Sequence, residues 1–221
     1  MEREDYFTKL YPLQDSVLAS FAGTEAEFYL TGGTAASRGY LNHRFSDDLD
    51  LFVNDDSRFG LWADRLVASV ANRPEWNVNV GLRDPRFVRF SVASEGLALK
   101  IELVNDVPSR VGQVSAHPVL GRLDTAENIL ANKLTAPADR EEPKDLADVW
   151  GFCVQMGLSL ADALEGAHGK AAGLFPVDLA RPLLSATSSD WDLVRWIEAP
   201  PLDRFLEDLR RLGEELLLLE P

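Results

Sequence analysis

Two carboxylates, two positions apart on a short apolar strand, constrain this chain more than any other feature. Between Tyr29 and Val53 the sequence reads Tyr-Leu-Thr-Gly-Gly-Thr, then a stretch of helical character, then Phe-Ser-Asp-Asp-Leu-Asp-Leu-Phe-Val. Side chains alternate across a strand. Asp48, Asp50 and Phe52 therefore share one face, and Leu49, Leu51 and Val53 share the other. The apolar face demands a core behind the strand, while the front sets two like charges side by side. Such charges repel, and burial without a counter-charge raises their pKa values. A divalent cation with hard oxygen ligands resolves this, which suits Mg²⁺, with Mn²⁺ as a substitute.

Gly32 and Gly33 follow an apolar strand ending at Leu30, and Thr34 opens a helical stretch, Thr34-Ala-Ala-Ser-Arg-Gly-Tyr-Leu. A glycine turn feeding a helix N-terminus presents backbone N–H groups and the positive end of the helix dipole, a cradle for phosphate. Thr34 serves there as N-cap or as phosphate ligand. Most Gly-Gly-Thr turns are only turns; one followed by Asp-Leu-Asp on a strand is far more specific. The competing reading is a strand edge blunted by acids after a tight turn.

Leu97–Val104 repeats the same division. Leu97, Leu99, Ile101 and Leu103 fall on one face, Lys100 and Glu102 on the other. If this strand neighbours the first, Glu102 joins Asp48 and Asp50 as a third carboxylate; otherwise it is an exposed strand charge beside Lys100. A second constellation runs from Ile129-Leu-Ala-Asn-Lys-Leu-Thr-Ala to Asp139-Arg-Glu-Glu-Pro-Lys-Asp-Leu-Ala-Asp-Val-Trp. Lys133 has apolar neighbours on its helix turn and must snorkel outward or meet an anion. Asp145 and Asp148 share a helix face, and Lys144 with Asp148 makes an i,i+4 pair. From the residues alone, this is also readable as a salt-bridged helical hairpin.

The first constellation resembles the signature of the polymerase-β-type nucleotidyltransferases. Its fuller wording, Leu-Thr-Gly-Gly-Thr-Ala through His-Arg-Phe-Ser-Asp-Asp-Leu-Asp-Leu-Phe, resembles one branch, the AbiEii/AbiGii toxin family of abortive-infection and type IV toxin–antitoxin systems. Lys100-Ile101-Glu102 matches that family's Lys-Ile-acid wording. Lys133, Arg140, Lys144, Asp145 and Asp148 match its Lys and Arg-x-x-x-(Arg/Lys)-Asp-x-x-Asp segment, with Lys144-Asp145 where the family more often has Arg-Asp. That departure weakens a bidentate anion contact. The resemblance implies an α+β fold: a small mixed or antiparallel sheet with flanking helices, plus a C-terminal helical region that completes the active site. It implies Asp48, Asp50 and Glu102 as metal ligands, and Gly32, Gly33, Thr34, Ser46 and Lys133 as nucleotide-binding residues. Lys133 and Asp145 join the three acids in the catalytic set, and Asp148 is structural. The implied activity is Mg²⁺-dependent transfer of a nucleoside monophosphate from an NTP such as ATP to an RNA (tRNA-like) or protein acceptor, with a cognate antitoxin as partner. A small-molecule acceptor such as an antibiotic, or a non-catalytic binding module on the same fold, are the alternatives.

Bulk properties bound these readings. An apolar content of 46% supports a sizeable core, and a single cysteine, Cys153, excludes an internal disulfide and a thiolate zinc cluster. His43, His117 and His168 lack metal-ligand spacing. No run is long enough for a membrane span, and the charged start lacks a signal-peptide pattern, so a cytoplasmic location is expected. A net charge of −14 disfavours broad affinity for nucleic-acid phosphates. Local basic groups remain: Arg38 and Arg44 flank the glycine turn and acid strand, and Arg83, Arg86 and Arg89 read as a solvated strand rim.

The expected organisation is a nucleotidyltransferase core over residues 1–120 and a helical region over 121–221. Periodicity predicts an N-terminal helix kinked or divided at Pro12 and a helix over 57–71. It also predicts a half-buried strand carrying Trp76, Val78, Val80 and Leu82, and another over 86–93. Residues 105–123 read as a surface connection. A helix capped by Asp124 or Thr125 runs through Lys133 to Ala138, another opens at Pro143, and three or four more follow Gly157.

Overall fold

A computed structural model describes residues 1–135, 142–170 and 175–219. They group into two units. One holds Met1–Ala35, Ser46–Pro108 and Val114–Asp124; the other holds Ala36–Phe45, Ser109–Gln113 and Thr125–Pro221.

The first unit opens with helix α1 (Tyr11–Ala22), preceded by π-helical turns over Tyr6–Leu10. Pro12 sits in the first turn of α1. A proline lacks the N–H of a regular helical bond and crowds the carbonyl four residues back. The expected division at Pro12 takes the form of this widening just ahead of the ring, so the chain remains helical. Strands β1 (Tyr29–Thr31) and β2 (Leu49–Asn54), helix α2 (Phe59–Ala71), and strands β3 (Asn77–Asp84), β4 (Phe87–Ser94) and β5 (Leu97–Asp106) follow. Two short strands, β6 (Ser115–His117) and β7 (Gly121–Leu123), complete a seven-stranded sheet in the order β3-β4-β5-β2-β1-β7-β6. The sheet is mixed: β2 pairs with β5 and β1 with β7 in parallel, and the other pairs are antiparallel.

Period-2 alternation places the core as expected. Leu49, Leu51 and Val53 of β2 are buried, as are Val88, Phe90 and Val92 of β4 and Leu99, Ile101 and Leu103 of β5. Phe59, Trp62, Leu66 and Val70 form the buried stripe of α2. Two expectations are corrected. Residues 105–123 are not merely a connection, since they extend β5 and supply β6 and β7. And β3 is not half-buried: Val80 and Leu82 are 42% and 44% exposed, because β3 is an edge strand with a single neighbour.

The second unit is helical: α3 (Ala126–Thr135), α4 (Pro143–Trp150) continuing as π turns over Gly151–Gln155, α5 (Leu160–His168), α6 (Pro176–Ser185), α7 (Ser188–Leu193) and α8 (Leu202–Leu217). Thr125 is the cap of α3, its hydroxyl accepting from the Asn128 N–H at 3.2 Å. Trp150, Trp196 and Phe205 pack edge-on with ring centroids 5.4–6.3 Å apart. The segment around Arg44 belongs here because it pairs with Trp196: the Ile197 N–H donates to the His43 carbonyl and the Phe45 N–H to the Arg195 carbonyl, both at 2.8 Å. Ala138 and Arg140 lie outside the described residues. No helix among the described residues is long and apolar enough to cross a membrane.

Candidate active site

The acid face belongs to the first unit. β5 lies beside β2 in parallel register, setting Glu102 directly opposite Asp50. Asp48 stands just ahead of β2, two residues before Asp50. The neighbour condition for a third carboxylate is thus met by strand pairing. Two cations share this face. Lys100 Nζ lies 2.9 Å from Asp48 Oδ2 and 3.4 Å from Glu102 Oε1. Arg89, opposite Glu102 on β4, places Nε 2.7 Å from the same Oε1. Burial works to lower the Lys100 pKa, but its bond to Asp48 and the charges of Asp48, Glu102 and Asp50 outweigh this and hold it above the ordinary lysine value.

Among the described residues, no three His, Cys, Asp or Glu side chains converge closely enough to hold a metal ion as they stand. The donor set nevertheless fits one in kind. It offers hard carboxylate oxygens, and an ammonium group already bridges Asp48 and Glu102, so positive charge is favoured there.

The glycine turn is coupled to these acids. Thr31 pairs with Asp50 across β1 and β2. Gly32 follows with φ of +67°, and a Cβ on it would overlap the Asp50 carboxylate. Glycine is required both for the left-handed backbone and for this close approach. The helical turn Gly32–Thr34 begins here, with Thr31 rather than Thr34 at the N-cap position and no side chain capping it. The Thr31 hydroxyl instead donates to Asp124 Oδ2 at 2.7 Å. Thr34 is fully buried, its hydroxyl 2.9 Å from Ser46 Oγ and 2.5 Å from the Asp48 carbonyl. Ser46 is buried as well. The N-terminal helix adds support: Gln14 Nε2 donates at 3.2 Å to the carbonyls of Ser46 and Asp47, and the Tyr6 hydroxyl donates to Asp47 Oδ1 at 2.7 Å.

The second constellation forms a separate charge cluster in the helical unit. Lys133 meets anions, with Nζ 2.6 Å from Asp145 Oδ1 and 2.7 Å from Asp148 Oδ2. Asp148 is the hub. Arg44 grips both its oxygens, Nε to Oδ1 and Nη2 to Oδ2, each at 2.7 Å, and His43 Nε2 lies 3.0 Å from Oδ1. Burial alone raises the Asp148 pKa, yet the Arg44 and Lys133 charges and the His43 and Arg44 bonds hold it well below the usual carboxylate range. Burial likewise opposes the Lys133 charge, but Asp148 and Asp145 keep its pKa raised. His43 goes the other way: burial dominates, its pKa is lowered, and Nδ1 is buried without a partner. The neutral ring therefore carries its proton on Nε2, toward Asp148.

Two smaller expectations change, and a third stands. Lys144 pairs with Glu142 at 2.6 Å, not with Asp148, whose oxygens are already taken. Arg44 is buried and committed to Asp148, so it offers no basic surface beside the acid strand. The arginine trio is the solvated rim expected, each side chain exposed and paired: Arg83 with Asp64, Arg86 with Asp55, and Arg89 with Glu102.

The profile of one protein family, the nucleotidyl transferase AbiEii toxin of type IV toxin–antitoxin systems, matches residues 16–207. The chain belongs to the AbiEii family. Solved structures agree on the fold. A candidate nucleotidyltransferase of H. pylori superposes with a TM-score of 0.66 at 19% identity, covering 98% of this chain and 96% of that one. JHP933 from Helicobacter pylori gives 0.62 at 19% identity, over 98% and 93% of the two chains. MenT4, the nucleotidyltransferase toxin Rv2826c of Mycobacterium tuberculosis H37Rv, gives 0.53 at 19%, over 96% and 84%. No curated protein sequence matches the chain.

Sequence reasoning assigned no task to His43, Gln14 or Tyr6 in this AbiEii protein, and read Arg44 only as a local basic group. His43-Arg44-Phe45-Ser46 lies directly ahead of the acid strand, which is a signal for the first two. Nothing in the sequence connects Arg44 to Asp148, which is 104 residues away.

Proposed function

We propose that this AbiEii protein uses Mg²⁺ to transfer a nucleoside monophosphate from an NTP to an RNA (tRNA-like) or protein acceptor. It would do so in the cytoplasm, as the toxin of a type IV pair restrained by a cognate antitoxin. The observation that carries the reading is Asp50 facing Glu102 across β2 and β5, with Asp48 beside them and the Gly32 backbone against Asp50. Asp48, Asp50 and Glu102 would hold the metal, which when bound stabilises charge on the entering and leaving oxygens. The acceptor hydroxyl oxygen, its proton passing to water, bonds to the α-phosphorus as the bond from that phosphorus to the α–β bridging oxygen breaks, and pyrophosphate leaves with that oxygen. Gly32 and Gly33 present backbone to the polyphosphate. Thr34 and Ser46, whose hydroxyls bond to each other, fix the turn rather than touch the nucleotide by those groups. The family resemblance gives Lys133 the charge of the leaving pyrophosphate; within the helical unit Asp145 holds that ammonium at 2.6 Å. Asp148 is structural.

The test is incubation with α-labelled NTPs, Mg²⁺ and cell extract. Asp48→Asn or Asp50→Asn is expected to cut labelling by about 10²–10³-fold or more, with an unchanged circular dichroism spectrum. Equal labelling by wild type and variant would overturn the assignment. A second reading, a cationic small molecule as acceptor, is favoured by the net charge of −14. The identity of the labelled species separates the two.

A further inference from the structure

We propose that Lys100 is a positioning residue that acts as a tethered counter-cation, holding Asp48 and Glu102 apart from a divalent ion and yielding its place when that ion binds. The inference rests on the assignment of these acids as metal ligands. Three observations support it. The ammonium group bridges acids from two separate segments, 2.9 Å from Asp48 and 3.4 Å from Glu102. It reaches them from β5 itself, two residues before Glu102, so it shares their face and needs only a side-chain rotation to leave. And its side chain is 41% exposed, so water can receive the displaced charge.

The arrangement has a physical purpose. Without a counter-charge, Asp48, Asp50 and Glu102 would repel one another across adjacent strands. Arg89 offsets Glu102, to which its Nε donates at 2.7 Å. Lys100 is the cation that ties Asp48 into the cluster. A lysine suits an exchangeable role better than an arginine, since its compact ammonium makes no bidentate grip on a carboxylate.

The consequence concerns metal affinity. A divalent ion must displace the ammonium and accept its residual repulsion, so Lys100 lowers affinity for the metal alone. Mn²⁺ binding to the full chain, followed by the loss of the free-ion electron paramagnetic resonance signal, tests this without turnover. Lys100→Met is expected to bind Mn²⁺ on the order of tenfold more tightly than wild type, the scale of removing one nearby unit charge. Lys100→Arg, which keeps the charge and adds a two-point grip on carboxylates, is expected to bind Mn²⁺ no more tightly than wild type. Unchanged or weaker Mn²⁺ binding by Lys100→Met, with wild type still binding, overturns this inference and leaves the metal assignment intact. No Mn²⁺ binding by either protein overturns both.

Discussion

Glu102 in the sheet unit and Asp148 in the helical unit each meet a lysine and an arginine, and Asp48 shares the lysine of Glu102, yet the surroundings differ. The Asp48, Glu102 and Lys100 side chains are 34%, 18% and 41% exposed, and Arg89 is 50% exposed. Asp148 and His43 are fully buried, Arg44 is 4% exposed, and Lys133 is 12% exposed. Water can take up any charge released from the first cluster. A charge released inside the second has nowhere to go, and an uncompensated buried ion costs several kcal/mol. The same kinds of residue thus make a replaceable arrangement in one unit and a permanent fixture in the other.

This contrast is open to measurement, and the largest effect should come from Asp148. Asp148→Ala leaves Arg44 and Lys133 buried without their carboxylate and is expected to cost about 3–5 kcal/mol of stability in urea unfolding. Asp48→Ala in the same assay should change stability by less than about 1 kcal/mol. Equal costs would erase the distinction between the clusters. Gly32→Ala comes next. It disturbs the acid face without altering a charge, and a strained φ with a blocked approach to Asp50 predicts about 1–3 kcal/mol of destabilisation by thermal unfolding.

The smallest effect is a pH dependence confined to the buried cluster. His43 has a folded-state pKa below its ordinary value of 6.5. As pH falls below 6.5, the unfolded chain takes up a proton that the folded chain refuses, so stability falls with it. His43→Gln should flatten this slope in unfolding midpoints between pH 7 and pH 5. Variants of the exposed acids should leave the slope in that window in place.

The acid face was legible because strand periodicity is short-range. Alternation placed Leu49, Leu51 and Val53 in the core and Asp48 and Asp50 opposite, and the same rule applied to Glu102. The helical hub was half legible: the apolar neighbours of Lys133 left it to snorkel outward or meet an anion, and Asp145 and Asp148 are the anions it meets. Its other half was not, since Arg44 reaches Asp148 through folding of distant segments rather than through local spacing. β6 and β7 escaped notice because three residues do not make a pattern, and Pro118 and Gly121 read as turn residues. The exposure of β3 depends on its place at the sheet edge, which alternation cannot report.

Thr34 offers a last mechanical point. Because its hydroxyl spans Ser46 Oγ and the Asp48 carbonyl, the bend that begins at Gly32 and the start of the acidic strand are stitched together from inside the fold. A pull on either end is passed to the other through these two bonds. Whatever settles on the bend therefore finds the carboxylates at a fixed offset, and adjustment is left to the charged tips alone.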